Sequence, residues 1–424
     1  MGISFWITLV VFVVTYAIII SEKVHRTVIA MAGAGLLVLL GIVTQEKAIE
    51  GIDFNTLGLL IGMMIIVGIA KHSGMFQYVA IWATNVGKGN PIKIYILLLV
   101  IVAVFSALLD NVTTVLLMIP VTFVVAHNLK IHPKPFLIGA ILLSNIGGTA
   151  TLIGDPPNIL IGSASGLTFN DFLFNLAPIS LFVSTVTIGL LVFIYRKQLV
   201  ATPEDQATIA KFNPKEAISD VKLLKKALFV LGIVLVGFFT HGATHLEGAT
   251  IALGGAALML LLTMHDPEEH LKEVEWTTIF FFMGLFILVV ALEEVGAIRM
   301  LAEGLLKLTG GNMIATTMSV LWGSAVFSAI IDNIPFVATM IPLIKDLGAI
   351  SGLPLVPLWW VLALGADIGG NATLVGASAN VVVSGIAGRE GYRIGFGEYM
   401  KIALPLTFVA LVMCSIYVFF RYLI

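Results

Sequence analysis

The stretch FSALLDNVTTVLLMIP at residues 105–120 is repeated, with changes, as FSAIIDNIPFVATMIP at residues 327–342. A second pair has the same offset of 222 residues, because IGGTATLIGDPPN at 146–158 corresponds to IGGNATLVGASAN at 368–380. Each segment interrupts apolar sequence with polar residues or glycines. A duplicated hydrophobic chain with such interruptions at matching positions of its two halves is typical of a secondary transporter. The interruptions therefore mark the predicted binding site.

Composition narrows the class of protein. The chain has 424 residues, of which 59% are hydrophobic and only 11% are charged. So few charges cannot cover that much apolar surface in water, so the sequence predicts an all-α polytopic membrane protein. The net charge of −2 gives no indication of nucleic-acid binding. The single cysteine, Cys414, excludes a disulfide framework and a multi-thiolate metal site, and we predict no cofactor, no resident metal and no enzymatic activity.

Apolar stretches of similar length follow one another in both halves. They lie at 3–20, 27–43, 54–70, 92–126, 136–164 and 172–195 in the first half, and at 227–241, 249–264, 276–292, 314–344, 358–386 and 400–420 in the second. The fourth stretch of each half is about 30 residues long, and a single helix of that length would exceed a ~30 Å hydrocarbon core. We therefore predict re-entrant helical hairpins at 92–126 and 314–344, and broken helices at 136–164 and 358–386.

Each half then contains five spanning helices and one re-entrant hairpin. An odd number of spans turns the second half upside down, so we predict an inverted repeat of residues 1–195 and 227–424, with the two hairpin tips meeting near the membrane midplane. The polar segment 196–226 is predicted to be a solvated linker. With this linker in the cytoplasm and both termini external, 18 of the 23 Lys and Arg residues lie inside. The predicted location is the bacterial inner membrane, with Trp359 and Trp360 in an interfacial aromatic belt.

The hairpin tips carry the first group of candidate binding residues. Asp110-Asn111 and Asp332-Asn333 lie in the middle of apolar stretches, where a carboxylate costs about 2.5 kcal/mol or more without a partner. Either aspartate could simply cap the helix that follows it, and a helix N-terminus inside the membrane also suits a binding role. The candidate residues of the tips are Asp110, Asn111, Thr113, Thr114, Asp332 and Asn333.

The broken helices carry the second group. Paired glycines and prolines are not expected within an uninterrupted helix, so the chain is predicted to unwind near Gly147-Gly148 and at the matching position of the second half. Such backbone is tolerated in a membrane only where protein or a water-filled cavity satisfies it. Packing alone would explain the glycines but not the polar residues beside them. The candidate residues of the breaks are Asn145, Gly148, Thr149, Thr151, Asp155, Asn158, Asp367, Gly370, Asn371, Thr373 and Asn380.

The duplicated order of hairpin tip, Gly-Gly break and Pro-Pro-Asn resembles the ion transporter superfamily over nearly the whole chain. The resemblance is closest to arsenite-efflux permeases, sodium/proton antiporters of the NhaD type and the melanosomal P protein. Dicarboxylate and citrate members of the superfamily carry Ser-Asn-Thr at each tip, which holds sodium and a substrate carboxylate. Here the matching residues are Asp110-Asn111-Val112 and Asp332-Asn333-Ile334. Two fixed aspartates would repel a dianion, which argues against carboxylate transport.

The resemblance implies a transporter driven by a proton or sodium gradient and commonly assembled as a homodimer. Arsenous acid is neutral and can exchange hydrogen bonds with aspartate, asparagine and threonine, so we expect efflux of arsenite and antimonite driven by proton entry. Sodium/proton antiport is the first alternative and transport of a dicarboxylate or citrate-like anion is the second. Channel activity is a further alternative. An intramembrane aspartyl protease is not, because it would need sequence signatures that Asp110 and Asp155 lack. The linker 196–226 is a candidate docking site for a soluble ATPase.

Overall fold

A computed structural model describes residues 2–21, 23–264 and 267–424, and these residues form helices without any strand. The first half contains α1 (Ile3–Ser21), α2 (Arg26–Leu39), α3 (Gln45–Glu50), α4 (Phe54–Lys71), α5 (Met75–Val86), α6 (Pro91–Leu108), α7 (Asn111–Asn128), α8 (Lys134–Gly148), α9 (Pro156–Ser165), α10 (Phe169–Asn175) and α11 (Ala177–Tyr195). The connecting segment contains α12 (Pro203–Ile209). The second half contains α13 (Val221–Thr244), α14 (Gly248–Thr263), α15 (Pro267–Leu271), α16 (Trp276–Glu294), α17 (Ala297–Thr309), α18 (Met313–Ser328), α19 (Asn333–Ser351), α20 (Leu355–Gly369), α21 (Ser378–Arg389) and α22 (Phe396–Val418).

The prediction of an all-α polytopic membrane protein is confirmed. Within the described residues, 10 helices are long and apolar enough to cross a membrane. The number equals the ten spans predicted from the sequence, but the helices differ. Among the ten are α6, α7 and α19 of the predicted hairpins, whereas α2, α8, α14 and α18 are shorter than a full span.

Both predicted hairpins are pairs of helices joined by a short turn. The first turn lies at Leu109 and Asp110, and the side chain of Asp110 caps α7. Asparagines begin the first helix of each pair: Asn90 caps α6 and Asn312 caps α18 by accepting a backbone N–H three residues on. Each pair extends slightly beyond its predicted segment, because α7 and α19 continue past an internal proline.

The two halves pack through matching pairs of helices. Helix α2 packs on α16, and its counterpart α14 packs on α4; likewise α9 packs on α19 and α21 packs on α7. Hydrogen bonds repeat in the same way. The hydroxyl of Ser106 donates to Ser144 O at 2.5 Å, and that of Ser328 donates to Ala366 O at 2.6 Å. Exchanging the halves maps each of these contacts onto its partner, whereas the inverted orientation of the two halves stays a prediction.

Several short helices lie outside the predicted apolar stretches, namely α3, α5, α12, α15 and α17. Helices α5 and α17 occupy matching positions, and each begins after a left-handed glycine, Gly74 (φ 81°) or Gly296 (φ 77°). Helix α17 buries Ile298 and Ala302 and exposes Arg299. The amphipathic pattern was thus the signal that would have found it.

The structure adds detail to two expectations about exposure. Most residues of the linker are at least partly exposed, but a few contacts attach it to the helices: Ile209 is fully buried, Asp205 Oδ1 lies 2.8 Å from Lys130 Nζ, and Asn85 Nδ2 donates to Phe212 O at 2.9 Å. Trp359 and Trp360 are buried rather than interfacial, and the ring of Trp360 meets Phe172 edge to face. In both cases tertiary packing buries residues that the sequence alone places at the membrane surface.

Candidate functional site

Each broken helix is supported by an asparagine that follows the break. Helix α8 ends at Gly148, and α9 begins at Pro156. The amide of Asn158 donates to Thr151 O at 2.9 Å, and that of Asn380 donates to Gly370 O and Thr373 O, both at 2.8 Å. These bonds satisfy carbonyls that no longer have a helical partner. Asn158 and Asn380 therefore stabilise the unwound backbone.

Glycines allow each break to fold back on itself. A Cβ added to Gly148 would lie 2.6 Å from Gly154 O, and one added to Gly370 would lie 2.8 Å from Gly376 O. Real Cβ atoms do not approach oxygen this closely, and in both halves the obstacle is backbone. The glycines predicted as binding residues thus shape the break.

Both hairpin aspartates are helix caps. The carboxylate of Asp110 accepts a hydrogen bond from Thr113 N at 2.9 Å, and that of Asp332 accepts one from Ile334 N at 3.1 Å. The capping interpretation is therefore correct at the backbone level. Asp332 has further partners, whereas Asp110 forms no ion pair within the described part of the chain.

The two hairpin tips meet at Asp155. The amide of Asn111 donates to Asp155 Oδ2 at 2.6 Å, and the amide of Asn333, from the other half, donates to Asp155 Oδ1 at 3.3 Å. All three residues are at most 2% exposed. Two segments 222 residues apart in sequence thus share one buried carboxylate, as the tip-to-tip prediction requires.

The two breaks are joined by buried asparagines. Asn145 Nδ2 lies 2.8 Å from the side-chain oxygens of both Asn371 and Asn380, and Asn145 Oδ1 accepts a bond from Asn111 at 3.0 Å. Tyr399 holds the second break from outside by donating to Asn371 O at 2.8 Å. We call Asn111, Asn145, Asp155, Asn333, Asp367, Asn371 and Asn380 the central cluster.

Buried acceptors without hydrogen-bond partners lie in and beside the central cluster. They are both carboxylate oxygens of Asp367, the side-chain oxygens of Asn111 and Asn158, and the hydroxyl oxygen of Thr114. Asp367 interacts electrostatically with Asp155 and lies beside Thr149 and Asn158, whose side chains donate to the backbone carbonyls of Asn145 and Thr151. Two buried carboxylates that interact in this way are stabilised by a proton, a cation or a hydrogen-bond donor. The arrangement can therefore hold a ligand that is positively charged or rich in donors.

The predicted threonines are placed differently from the asparagines. The hydroxyl of Thr373 donates to Ala329 O at 2.6 Å, that of Thr151 donates to Ala107 O, and that of Thr149 donates to Asn145 O at 2.8 Å. They join the breaks to the hairpin turns or close a helical turn. Thr113 lies beside Asp110 at the first tip.

Sequence reasoning missed Arg26 and Ser378, which both contact Asp332. Arg26 had been counted only as a loop charge. Its position next to the apolar stretch 27–43 was the available signal, because an arginine there can reach the membrane interior. Ser378 belongs to the second repeated motif, where it replaces Pro156 of the first.

Comparison with known proteins identifies the family of the chain. A family model described as a citrate transporter matches residues 16–365. The chain belongs to the citrate transporter family. This family is part of the ion transporter superfamily, as the repeated motifs indicated. The protein is accordingly a membrane transporter and not an enzyme.

Relatives cover the whole chain. An uncharacterized transporter of Mycobacterium tuberculosis is 43% identical over 424 residues, which is 99% of both chains. The human P protein is 36% identical over 479 aligned residues, which include 93% of this chain and 57% of the P protein. The crystal structure of the YdaH transporter of Alcanivorax borkumensis has a TM-score of 0.58 at 15% identity and covers 97% of this chain and 96% of that one. This last similarity shows the fold alone.

Proposed function

We propose that this transporter is a proton-coupled efflux permease for arsenite and antimonite. The observation that carries the proposal is the set of unpartnered buried acceptors around Asp367. Buried polar groups are normally satisfied, so these oxygens are expected to meet donors from a ligand during the cycle. Arsenous acid offers three hydroxyl donors and no charge, which suits carboxylate and amide oxygens.

The pair Asp155 and Asp367 is the proposed coupling site. Both side chains are buried, at 1% and 0% exposure, and they interact electrostatically. Binding one proton between them removes the repulsion between two buried charges, and releasing it on the other side restores that repulsion. Proton entry can thus drive the carrier without any cofactor.

The family description names citrate, but the central cluster does not suit a polyanion. Its unpartnered atoms are oxygens, and a carboxylate ligand would need donors or a cation instead. Within the described residues, the arginine near the tips is Arg26, which is already paired with Asp332. Thiolate coordination of arsenic is not available either, because Cys414 is buried in α22, outside the central cluster.

Sodium/proton antiport is the second candidate. The same observation favours it, since sodium prefers carboxylate and amide oxygens of the kind that Asp367, Asn111 and Asn158 present. In this version one Na⁺ would replace protons at Asp155 and Asp367, and no further cargo would be needed.

We also propose the inner membrane as the location, with the linker inside and both termini outside. Contacts between loops support this topology. Lys71 pairs with Glu273, Lys134 Nζ lies 2.9 Å from Glu398, and Lys130 contacts the linker at Asp205. On the other side, Lys47 Nζ lies 2.5 Å from Glu294. Each contact joins loops that the charge distribution assigns to the same side.

Transport into everted vesicles tests the proposal. Vesicles from cells that lack their own arsenite exporter, with and without this chain, would receive arsenite, antimonite, sodium or citrate under an imposed pH gradient. We expect chain-dependent arsenite uptake that an uncoupler abolishes. Uptake of sodium instead would select the second candidate. Competition by citrate would contradict the electrostatic argument, and uptake that an uncoupler leaves unchanged would indicate a channel.

A further inference from the structure

The two hairpin tips differ in the polar groups that surround their aspartates. At the second tip, Arg26 Nη1 lies 3.2 Å from Asp332 Oδ2 and donates to Ser378 Oγ at 2.7 Å. The hydroxyl of Ser378 in turn donates to the same Asp332 oxygen at 2.7 Å. The guanidinium also lies over the ring of Phe281, 4.9 Å from its centroid. Arg26, Ser378 and Asp332 thus form a closed set of three mutually bonded polar groups.

The first tip has no counterpart of this set. The residues at the matching positions are Gly248 for Arg26 and Pro156 for Ser378, so these positions supply neither a cation nor a hydroxyl, and the hydroxyl beside Asp110 is that of Thr113 on its own hairpin. Because Asp110 and Asp332 cap their helices alike, capping does not explain why only Asp332 has a counter-ion. The difference is specified by the sequence and calls for a separate role.

Arg26 belongs to a closely packed pair of helices. It begins α2, which packs closely along α16: a Cβ added to Gly284 would lie 2.8 Å from the backbone of Ala30, and Thr27 Oγ1 donates to Thr277 O at 2.6 Å. Its partners belong to the tip before α19 and to α21. The ion pair therefore connects the α2–α16 pair to the second hairpin and the second broken helix.

The same ion pair lines a cavity next to the second hairpin tip. A cavity of about 280 Å³ is lined by Arg26, Phe281, Asp332, Ser378 and Val382, among others, and we call it the Arg26 cavity. The next residue after Asp332 is Asn333, which donates to Asp155 in the central cluster. A cavity on the other side of α19, of about 410 Å³ and lined by Ala338 and Ile341, does not reach either tip.

We propose that Arg26 is the gating residue of this carrier. Its ion pair with Asp332 holds the second hairpin tip against α2, and this contact keeps the Arg26 cavity open towards the site. The ion pair separates when the second hairpin moves and exposes the site to the other side of the membrane. The role rests on the proposed function only in requiring alternating access. It applies whether the cargo is arsenite, sodium or an anion, because neither Arg26 nor Asp332 needs to touch the cargo.

Cysteine accessibility tests this role without any substrate. Since Cys414 is fully buried, the chain provides a low background for labelling by a membrane-impermeant maleimide. Val382→Cys reports on the Arg26 cavity and Ile341→Cys on the opposite one. In Arg26→Gln we expect the labelling rate at position 382 to fall about fivefold or more relative to that at 341, the lower end of typical coupling between sites. Arg26→Lys keeps the charge but loses the planar guanidinium that lies over Phe281, so we expect it to fall between the parent and Arg26→Gln.

A double-mutant cycle separates gating from general damage. Arg26→Gln and Asp332→Asn break the same bond, so the double variant should show no larger change than either single one. Ser378→Ala, which leaves the charges in place, should give an intermediate change and serves as the milder variant if the others fold poorly. The matched control is Arg299→Gln, which removes an exposed arginine 3.5 Å from Glu303. Unchanged labelling ratios in Arg26→Gln, or additive effects in the double variant, would overturn the proposal.

Discussion

The amide of Asn111 donates to the carboxylate of Asp155 at 2.6 Å, and this bond joins the first hairpin tip to the break of the next helix. The same carboxylate also accepts the amide of Asn333 from the second half. Asp155 is therefore contacted by both halves of the repeat, and its own counterpart in the second half is an alanine, Ala377. A duplicated fold has kept a single copy of this carboxylate at its centre.

Replacing either central aspartate should abolish coupling. Asp155→Asn and Asp367→Asn keep the size of the side chain but cannot exchange a proton, so we expect proton-driven transport to fall by at least about tenfold, equivalent to ~1.4 kcal/mol. The measurement is solute uptake into proteoliposomes under an imposed pH gradient, after gel filtration has shown that the variants are folded.

The control for these variants is Asp53→Asn. Asp53 caps α4 by accepting a bond from Thr56 N at 3.1 Å, and asparagine can replace it in that role. We expect parental transport from this variant. Parental transport from both central variants as well would mean that the coupling groups lie elsewhere.

The glycines of the breaks should not tolerate a methyl group. Gly148→Ala and Gly370→Ala each place a Cβ within 2.8 Å of a backbone oxygen, so we expect a loss of about 1–3 kcal/mol in stability or a displaced break. Thermal unfolding in detergent measures the change. In the control Gly323→Ala a Cβ meets no atom within 4 Å, so its melting temperature should stay near that of the parent or rise slightly.

Removal of the supporting amides should weaken both breaks equally. Asn158→Ala and Asn380→Ala leave two or more buried carbonyls unpaired, so each variant should lose about 1–3 kcal/mol. Asn128→Ala, which removes an exposed amide bonded to Val124 O at 2.8 Å, is the matched control. If only one of the two buried variants is destabilised, the breaks are not structurally equivalent.

The linker should detach when Asp205 loses its charge. Hydrogen bonds from Lys130 and Thr202 lower the pKa of Asp205 below its ordinary value of 3.8. A carboxyl with a lowered pKa stabilises the folded state at pH values above its ordinary pKa, and that contribution disappears as the pH falls through the lowered value. The contribution of Asp205 to docking of the linker is therefore complete at neutral pH and lost in strong acid.

Proteolysis measures this docking. At neutral pH, trypsin should cut the linker of Asp205→Asn at Lys211 or Lys215 several-fold faster than that of the parent, whereas Glu204→Gln, an exposed neighbour, should behave like the parent. Pepsin should cut the parent linker faster once the pH falls below the lowered pKa. Equal cleavage of the parent and of Asp205→Asn at neutral pH would show that Lys130 does not hold the linker.

The sequence predicted the parts of this molecule that repeat. Asp110-Asn111, Asp332-Asn333 and the Gly-Gly breaks were found because duplication and local chemistry agree: polar residues and glycines cannot sit in lipid-facing helices without a reason. The contacts of Asn111 and Asn333 with Asp155 do not follow from the repeat, because the residue that matches Asp155 in the second half is Ala377. Local rules together with a repeat were therefore enough to outline the fold and to name the residues of the central cluster, but not their contacts.

The features that the sequence did not predict depend mainly on packing between segments that are far apart in the chain. Arg26 meets Asp332 only because α2 packs on α16, which no local pattern records. Trp360 and the linker residue Ile209 are buried by neighbours far away in the chain. The short helix α17 was missed because it is amphipathic rather than uniformly apolar.

The most direct test of the central claim is proton movement driven by arsenite alone. Proteoliposomes loaded with arsenite and a pH-sensitive dye, at equal internal and external pH, would be diluted into arsenite-free buffer. If efflux is exchanged for protons at Asp155 and Asp367, the interior should acidify with the parent chain and not with Asp155→Asn. Arsenite efflux without any change in internal pH, or the same acidification in Asp155→Asn, would contradict the account.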